Sequence, residues 1–85
     1  MKFVYKYPIK SGVVNTLTVP HDAKVLHVAI QNACICLWIM VDTAYPNTER
    51  DFKIFGTGMP VPYSASYIGT VQDLSFVWHI FEVQN

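Results

Sequence analysis

The residues whose types and spacing could do chemistry lie between Tyr45 and Tyr67, around the run Phe52-Lys53-Ile54-Phe55-Gly56-Thr57-Gly58-Met59-Pro60. An alternating strand stops there at two glycines flanking a hydroxyl. Without a Cβ the backbone can take positive φ and let a ligand approach its N–H groups, so Gly56, Thr57 and Gly58 could form a nest for a phosphate, with the Thr57 hydroxyl as a further donor. A bulge or a tight strand exit needs the same glycines, and the helix and lysine that complete a P-loop are missing. Arg50 and Lys53 are the only Lys or Arg after Lys24. Three apart on a strand, they project from opposite faces, so one of them could neutralise an anion at the corner. Tyr45, Tyr63 and Tyr67 flank turns. Each could stack on a nucleobase, an interaction of about 1 to 3 kcal/mol, and each could equally anchor a core or an interface.

A catalytic set does not assemble from the sequence. His21 falls in a turn, His27 and His79 fall in mid-strand, and no motif sets a Ser or Cys beside a His and a carboxylate. Asp51 and Glu82 have no paired-carboxylate spacing, so the chain reads as a binder rather than an enzyme, with no cofactor expected. Cys34 and Cys36 share a strand face but lie too far apart for an ordinary disulfide. They would be half of a metal site with no second half, and both are expected to be packed as small hydrophobes.

Composition bears on partners. Of the 85 residues, 52% are hydrophobic and only 14% are charged, against about 25% charged in an ordinary soluble domain. A chain of this mass folds to roughly 5,000 Å² of exposed surface and has a small interior, so apolar side chains should be left over outside, and the expectation is a homo-oligomer. Six Lys plus Arg balance six Asp plus Glu without any basic run. That argues against a grip on duplex nucleic acid and leaves room for a small anion held by one or two cations. The apolar run Ala33 to Val41 is far short of a bilayer span, and Met1-Lys2 leads into an alternating strand, so no membrane partner is expected and the location should be cytoplasmic.

Alternation with period two, β-branched and aromatic enrichment, and turn residues about every ten positions predict an all-β domain over residues 1–85, a small antiparallel sandwich or barrel of about seven strands. The expected strands cover residues 2–9, 14–19, 24–31, 34–42, 49–55, 66–71 and 74–83. Pro8 should end the first strand or place it at an edge. In the third, Leu26, Val28 and Ile30 should share one apolar face. The fourth, with Ile35, Leu37 and Ile39 on one side and Cys36, Trp38 and Met40 on the other, must be covered twice. Trp38 and Trp78 are expected in the core or an interface. The prolines of Met59-Pro60-Val61-Pro62-Tyr63 forbid regular pairing and favour an extended or ligand-covering loop.

Five patterns carry a resemblance: Lys6-Tyr7-Pro8-Ile9, Leu37-Trp38-x-x-Val41-Asp42, Phe55-Gly56-Thr57-Gly58-x-Pro60, Tyr67-Ile68-Gly69-Thr70-x-Gln72 and Val77-Trp78-His79-x-Phe81-Glu82. Together they resemble a family of small proteins of phages and bacteria classed as a domain of unknown function. By kind, a short oligomeric β-rich chain without a catalytic set is similar to phage sponge proteins, which sequester the cyclic nucleotide signals of bacterial immunity without cleaving them. That resemblance implies a phage anti-defence protein in the host cytoplasm. In it Gly56, Thr57 and Gly58 present donors to a cyclic di- or trinucleotide, Arg50 or Lys53 neutralises phosphate, and Tyr45, Tyr63 or Tyr67 stacks on a base. The alternative is a phage structural or host-interaction module with no small-molecule ligand, in which the glycine corner is only a bulge.

Overall fold

The alternating runs form seven antiparallel strands in the computed structural model, which describes residues 1–84. They are β1 (Lys2–Ile9), β2 (Asn15–Pro20), β3 (Lys24–Gln31), β4 (Cys34–Asp42), β5 (Asn47–Gly56), β6 (Ser66–Asp73) and β7 (Phe76–Val83). Strand ends differ from expectation by at most two residues, and the class is as expected. One sheet has the order β1-β4-β3 and the other β2-β5-β7-β6, so the architecture is a two-layer sandwich rather than a closed barrel. Among the described residues no helix is long and apolar enough to cross a membrane.

The two sheets bury alternate residues against each other. Ile9, Leu37, Ile39 and Val41 from the first meet Val19, Phe52, Ile54 and Ile80 from the second. The molecule measures 41 × 29 × 17 Å, thin enough that one layer of side chains makes the whole interior. It exposes 5646 Å², more than the roughly 5,100 Å² that scaling gives a compact monomer of this mass. Pro8 lies on β1, an edge strand, where its missing N–H costs no ladder bond.

The second face of β4 has an unexpected cover. Lys6, opposite Trp38, sends its ammonium across β4 to Gln31 Oε1 at 2.7 Å, and Gln31 lies opposite Cys34. The lysine stem therefore crosses above Cys36, which is 2% exposed although it faces away from the core. Cys34 is exposed, contrary to the expectation that both thiols would be packed. A second correction concerns β3. A bulge between Val25 and His27 shifts the phase, so Val25, Val28 and Ile30 pack on the core while Leu26 turns to solvent. Asn32 and Ala33, both at positive φ, form the two-residue turn into β4, the geometry that matches the twist of a hairpin.

The sheets approach most closely where β3 lies beside β6, and Gly69 makes this possible. A Cβ on Gly69 would stand 2.8 Å from Val28 Cγ2, closer than real side chains allow. We expect Gly69→Ala to lower stability by about 1 to 3 kcal/mol, read from the denaturant midpoint. Adding Val28→Ala should return part of that loss, and a double variant no better than the single one would show that the contact is not the cause.

Candidate functional site

The face of the second sheet that points away from the core brings three separated segments together. From β5 it receives Lys53 and Phe55, from β7 His79 and Phe81, and from β6 Tyr67 and Thr70. Strict alternation would put Tyr67 and Thr70, three apart, on opposite faces. A bulge between Tyr67 and Gly69 inserts Ile68 and rephases the strand, so Tyr67 stands opposite Phe81 and Thr70 opposite His79.

Aromatic rings floor this face. Phe55 and Phe81 meet edge to face with centroids 5.5 Å apart, Tyr67 meets Phe81 at the same separation, and the Lys53 ammonium sits 5.4 Å from the Phe55 ring centre. Phe55 is 3% exposed despite facing away from the core. Beside the rings runs a continuous chain of polar atoms. Tyr67 Oη lies 2.6 Å from Thr70 Oγ1, Thr70 Oγ1 is 3.1 Å from His79 Nδ1, and His79 Nε2 is 2.9 Å from Thr57 Oγ1. The Thr57 hydroxyl also donates to the Val77 carbonyl at 3.4 Å.

That last contact is compatible with one direction through the whole chain. If the Thr57 proton goes to Val77, Thr57 accepts from His79 Nε2–H, His79 Nδ1 accepts from Thr70, and Thr70 accepts from Tyr67. Every group then donates and accepts in one direction. In this tautomer His79 offers Thr57 a proton instead of removing one, the reverse of what a hydroxyl nucleophile needs. The two ring nitrogens of His79 meet the Thr57 and Thr70 hydroxyls, where a catalytic triad sets a hydroxyl on one nitrogen and a carboxylate on the other. Sequence reasoning sets His79 in mid-strand with no site partner and gives Thr70 no role, because the contact between them depends on a bulge in β6 that alternation does not reveal.

The remaining expected site residues lie elsewhere. At the glycine corner the Met59 N–H bonds the Gly56 carbonyl at 3.1 Å and Gly58 has φ 91°, the signature of a type II turn with glycine at its third position. The Gly56 N–H points at Met59 Sδ, 3.2 Å away, so the corner does not offer three converging amides. Arg50 is six residues back on β5, roughly 20 Å along the strand, and on the core side. Its guanidinium grips Glu82 through two bonds of 2.8 and 2.7 Å and also donates to the Ala23 carbonyl. The Glu82 hydrogen bonds hold the Arg50 pKa above its usual value, against the opposing effect of burial. Tyr45 sits at that same end, edge-on to His21, in a turn held by Asp42, whose carboxylate accepts the Ala44 N–H at 3.0 Å. Tyr63 projects fully into solvent.

The connection carrying Tyr63 has a defined course. β5 and β6 both run antiparallel to β7, so they are parallel to each other, and residues 57–65 must descend from the level of Trp78 to that of Glu82. That is about 13 Å along the strand direction. Turns at each end, closed by Met59 N–H to the Gly56 carbonyl and Ala65 N–H to the Pro62 carbonyl, leave Pro60 and Val61 in the straight portion between them, with Pro62 opening the second turn.

A family model described as Domain of unknown function (DUF7352) matches residues 1–85. No curated protein and no solved structure matches the chain.

Two outcomes follow from these placements. Replacing Arg50 with Met should cost about 2 to 4 kcal/mol in urea unfolding, because it leaves Glu82 partly buried without its partner. The pair Arg50→Met with Glu82→Met should recover much of that. At Asp42 the Ala44 N–H holds the carboxyl below its usual range, so its contribution is complete at neutral pH and disappears as pH falls through the lowered folded value. The Ala44 amide shift in NMR should titrate below the usual aspartate midpoint, and Asp42→Asn should abolish that titration.

Proposed function

The chain belongs to the family described as a domain of unknown function, DUF7352, and we propose that it is a non-catalytic binding module whose His79 face holds a small phosphorylated ligand carrying a base, of the cyclic nucleotide class. The carrying observation is the union, on one face, of the Lys53 ammonium, the Phe81 and Tyr67 rings and the polar chain from Tyr67 through His79 to Thr57. From β5 to β6 the face spans two strand spacings, about 10 Å, room for a base on the rings and a phosphate beside Lys53. With Thr57 donating to Val77, the hydrogen-bond chain leaves Thr57 as an acceptor toward His79, an arrangement that favours holding such a ligand intact over cleaving it.

An open sheet face covers only one side of a ligand, whereas small-molecule sites usually bury most of it. Enclosure by a second copy answers this and takes up surplus surface, so the module acts as a homo-oligomer, with loops bearing Tyr63 or Tyr45 available as the cover. In its most specific form the proposal is a phage-encoded sponge that withdraws a cyclic nucleotide immune signal. The second reading, a structural or host-interaction module without a ligand, draws support from the apolar side chains left in solvent at Phe3, Val4 and Tyr5 of edge strand β1.

Calorimetric titration with a panel of cyclic di- and trinucleotides tests the proposal. We expect saturable binding by at least one, weakened about tenfold by Tyr67→Ala, in line with the loss of one base stack, and weakened also by Lys53→Met. Chromatography after incubation should return the nucleotide unchanged. Absence of heat with every member, together with loss of assembly on replacing Trp38 or Trp78, would establish the second reading instead.

A further inference from the structure

At the end of the sandwich farthest from Arg50, an apolar protrusion and an apolar cleft lie side by side. Leu74, at the tip of the β6–β7 hairpin, is 90% exposed and has φ 55°, a left-handed conformation costly for a branched side chain. Next to it Phe76, 60% exposed, stacks on Trp78 with centroids 5.6 Å apart. The cleft, about 350 Å³, opens between the sheets against Ile9, Ile30, Ile35, Ile54 and Trp78. Lys10 and Asp73 stand at its rim, and no ion pair joins either of them to another described residue.

We infer that this end is a two-fold interface between copies of the chain, in which Leu74 of each enters the cleft of the other. A two-fold contact needs one patch to be complementary to itself. Knob and hole on the same end of one molecule meet that need, and so do the charges, because Asp73 adjoins the knob and Lys10 the hole, so two cross-pairs form when the ends meet. The arrangement also accounts for two anomalies at once, a leucine almost wholly in water and a backbone conformation that glycine would adopt without cost. The inference rests on the homo-oligomer part of the proposed function and adds to it the contact surface.

Leu74→Gly separates interface from fold, since glycine suits a positive φ and should raise the melting temperature of the dilute protein while removing the knob. Sedimentation of the full chain should show a dimer whose dissociation constant rises at least about tenfold in Leu74→Gly, the loss expected for one buried leucine side chain. Lys10→Asp and Asp73→Lys should each weaken the dimer, and their combination should restore it. Cys34 lines the cleft and is exposed while Cys36 is buried, so maleimide labelling of the native thiol should slow as wild-type concentration rises and stay constant in Leu74→Gly. A dimer unaffected by Leu74→Gly and by both charge reversals would overturn this interface and leave the homo-oligomer reading standing. A wild-type monomer at every concentration would overturn both.

Discussion

One inserted residue, Ile68, organises much of this molecule. The bulge it creates in β6 turns Gly69 toward Val28, where the absence of a side chain lets the two sheets close along one edge. It also swings Thr70 onto the face already occupied by Tyr67 and brings it under His79. Closure of the sandwich and assembly of the polar chain thus share a single local cause. A β6 with regular alternation would separate the two hydroxyls and thrust a side chain into the seam.

The two ends of the sandwich solve the same problem by different physics. Between thin layers an end leaves the core open to water. At one end the Arg50 fork spans from Glu82 on β7 to the Ala23 carbonyl ahead of β3, a charged clamp whose two bonds to the carboxylate fix its geometry. At the other end no such clamp exists among the described residues, and apolar groups from both sheets line an unfilled cleft. The aromatic rings and the polar chain gather on neither end but on the flank between them, around His79.

Much of this was legible in the residues themselves. Alternation and turn chemistry found every strand, because each inward side chain had only one other layer to meet. Thr57, Lys53 and Tyr67 stand out in the sequence as candidates, and the structure sets Lys53 and Tyr67 on the sheet face where Thr57 meets His79. Arg50 lies elsewhere. Its position three residues from Lys53 gave the correct opposite face, but the sequence holds no sign that Glu82, far along the chain, would occupy it. Leu26 and Thr70 escaped for a common reason: a bulge changes which way side chains point, and neither bulge carries a glycine or proline at its inserted position. The face of His79 on the regular β7 is legible from alternation, but its partner Thr70 is not. Cys36 is buried as its residue type implies, but its cover is the stem of Lys6 from a neighbouring strand, which hydrophobicity patterns do not register.

The strand order also governs how the chain reaches this structure. Only β3 with β4 and β6 with β7 are neighbours both in sequence and in the sheet, while β1 pairs with β4, β2 with β5, and β5 with β7. Non-local pairing of this kind slows folding to the millisecond-to-second range. During synthesis β1 therefore emerges before its mate, and its backbone N–H and C=O groups stay without their β4 partners until residues 35–42 have been made. Lys2, Lys6 and Pro8, interspersed through that strand, are residue types that disfavour edge-to-edge pairing.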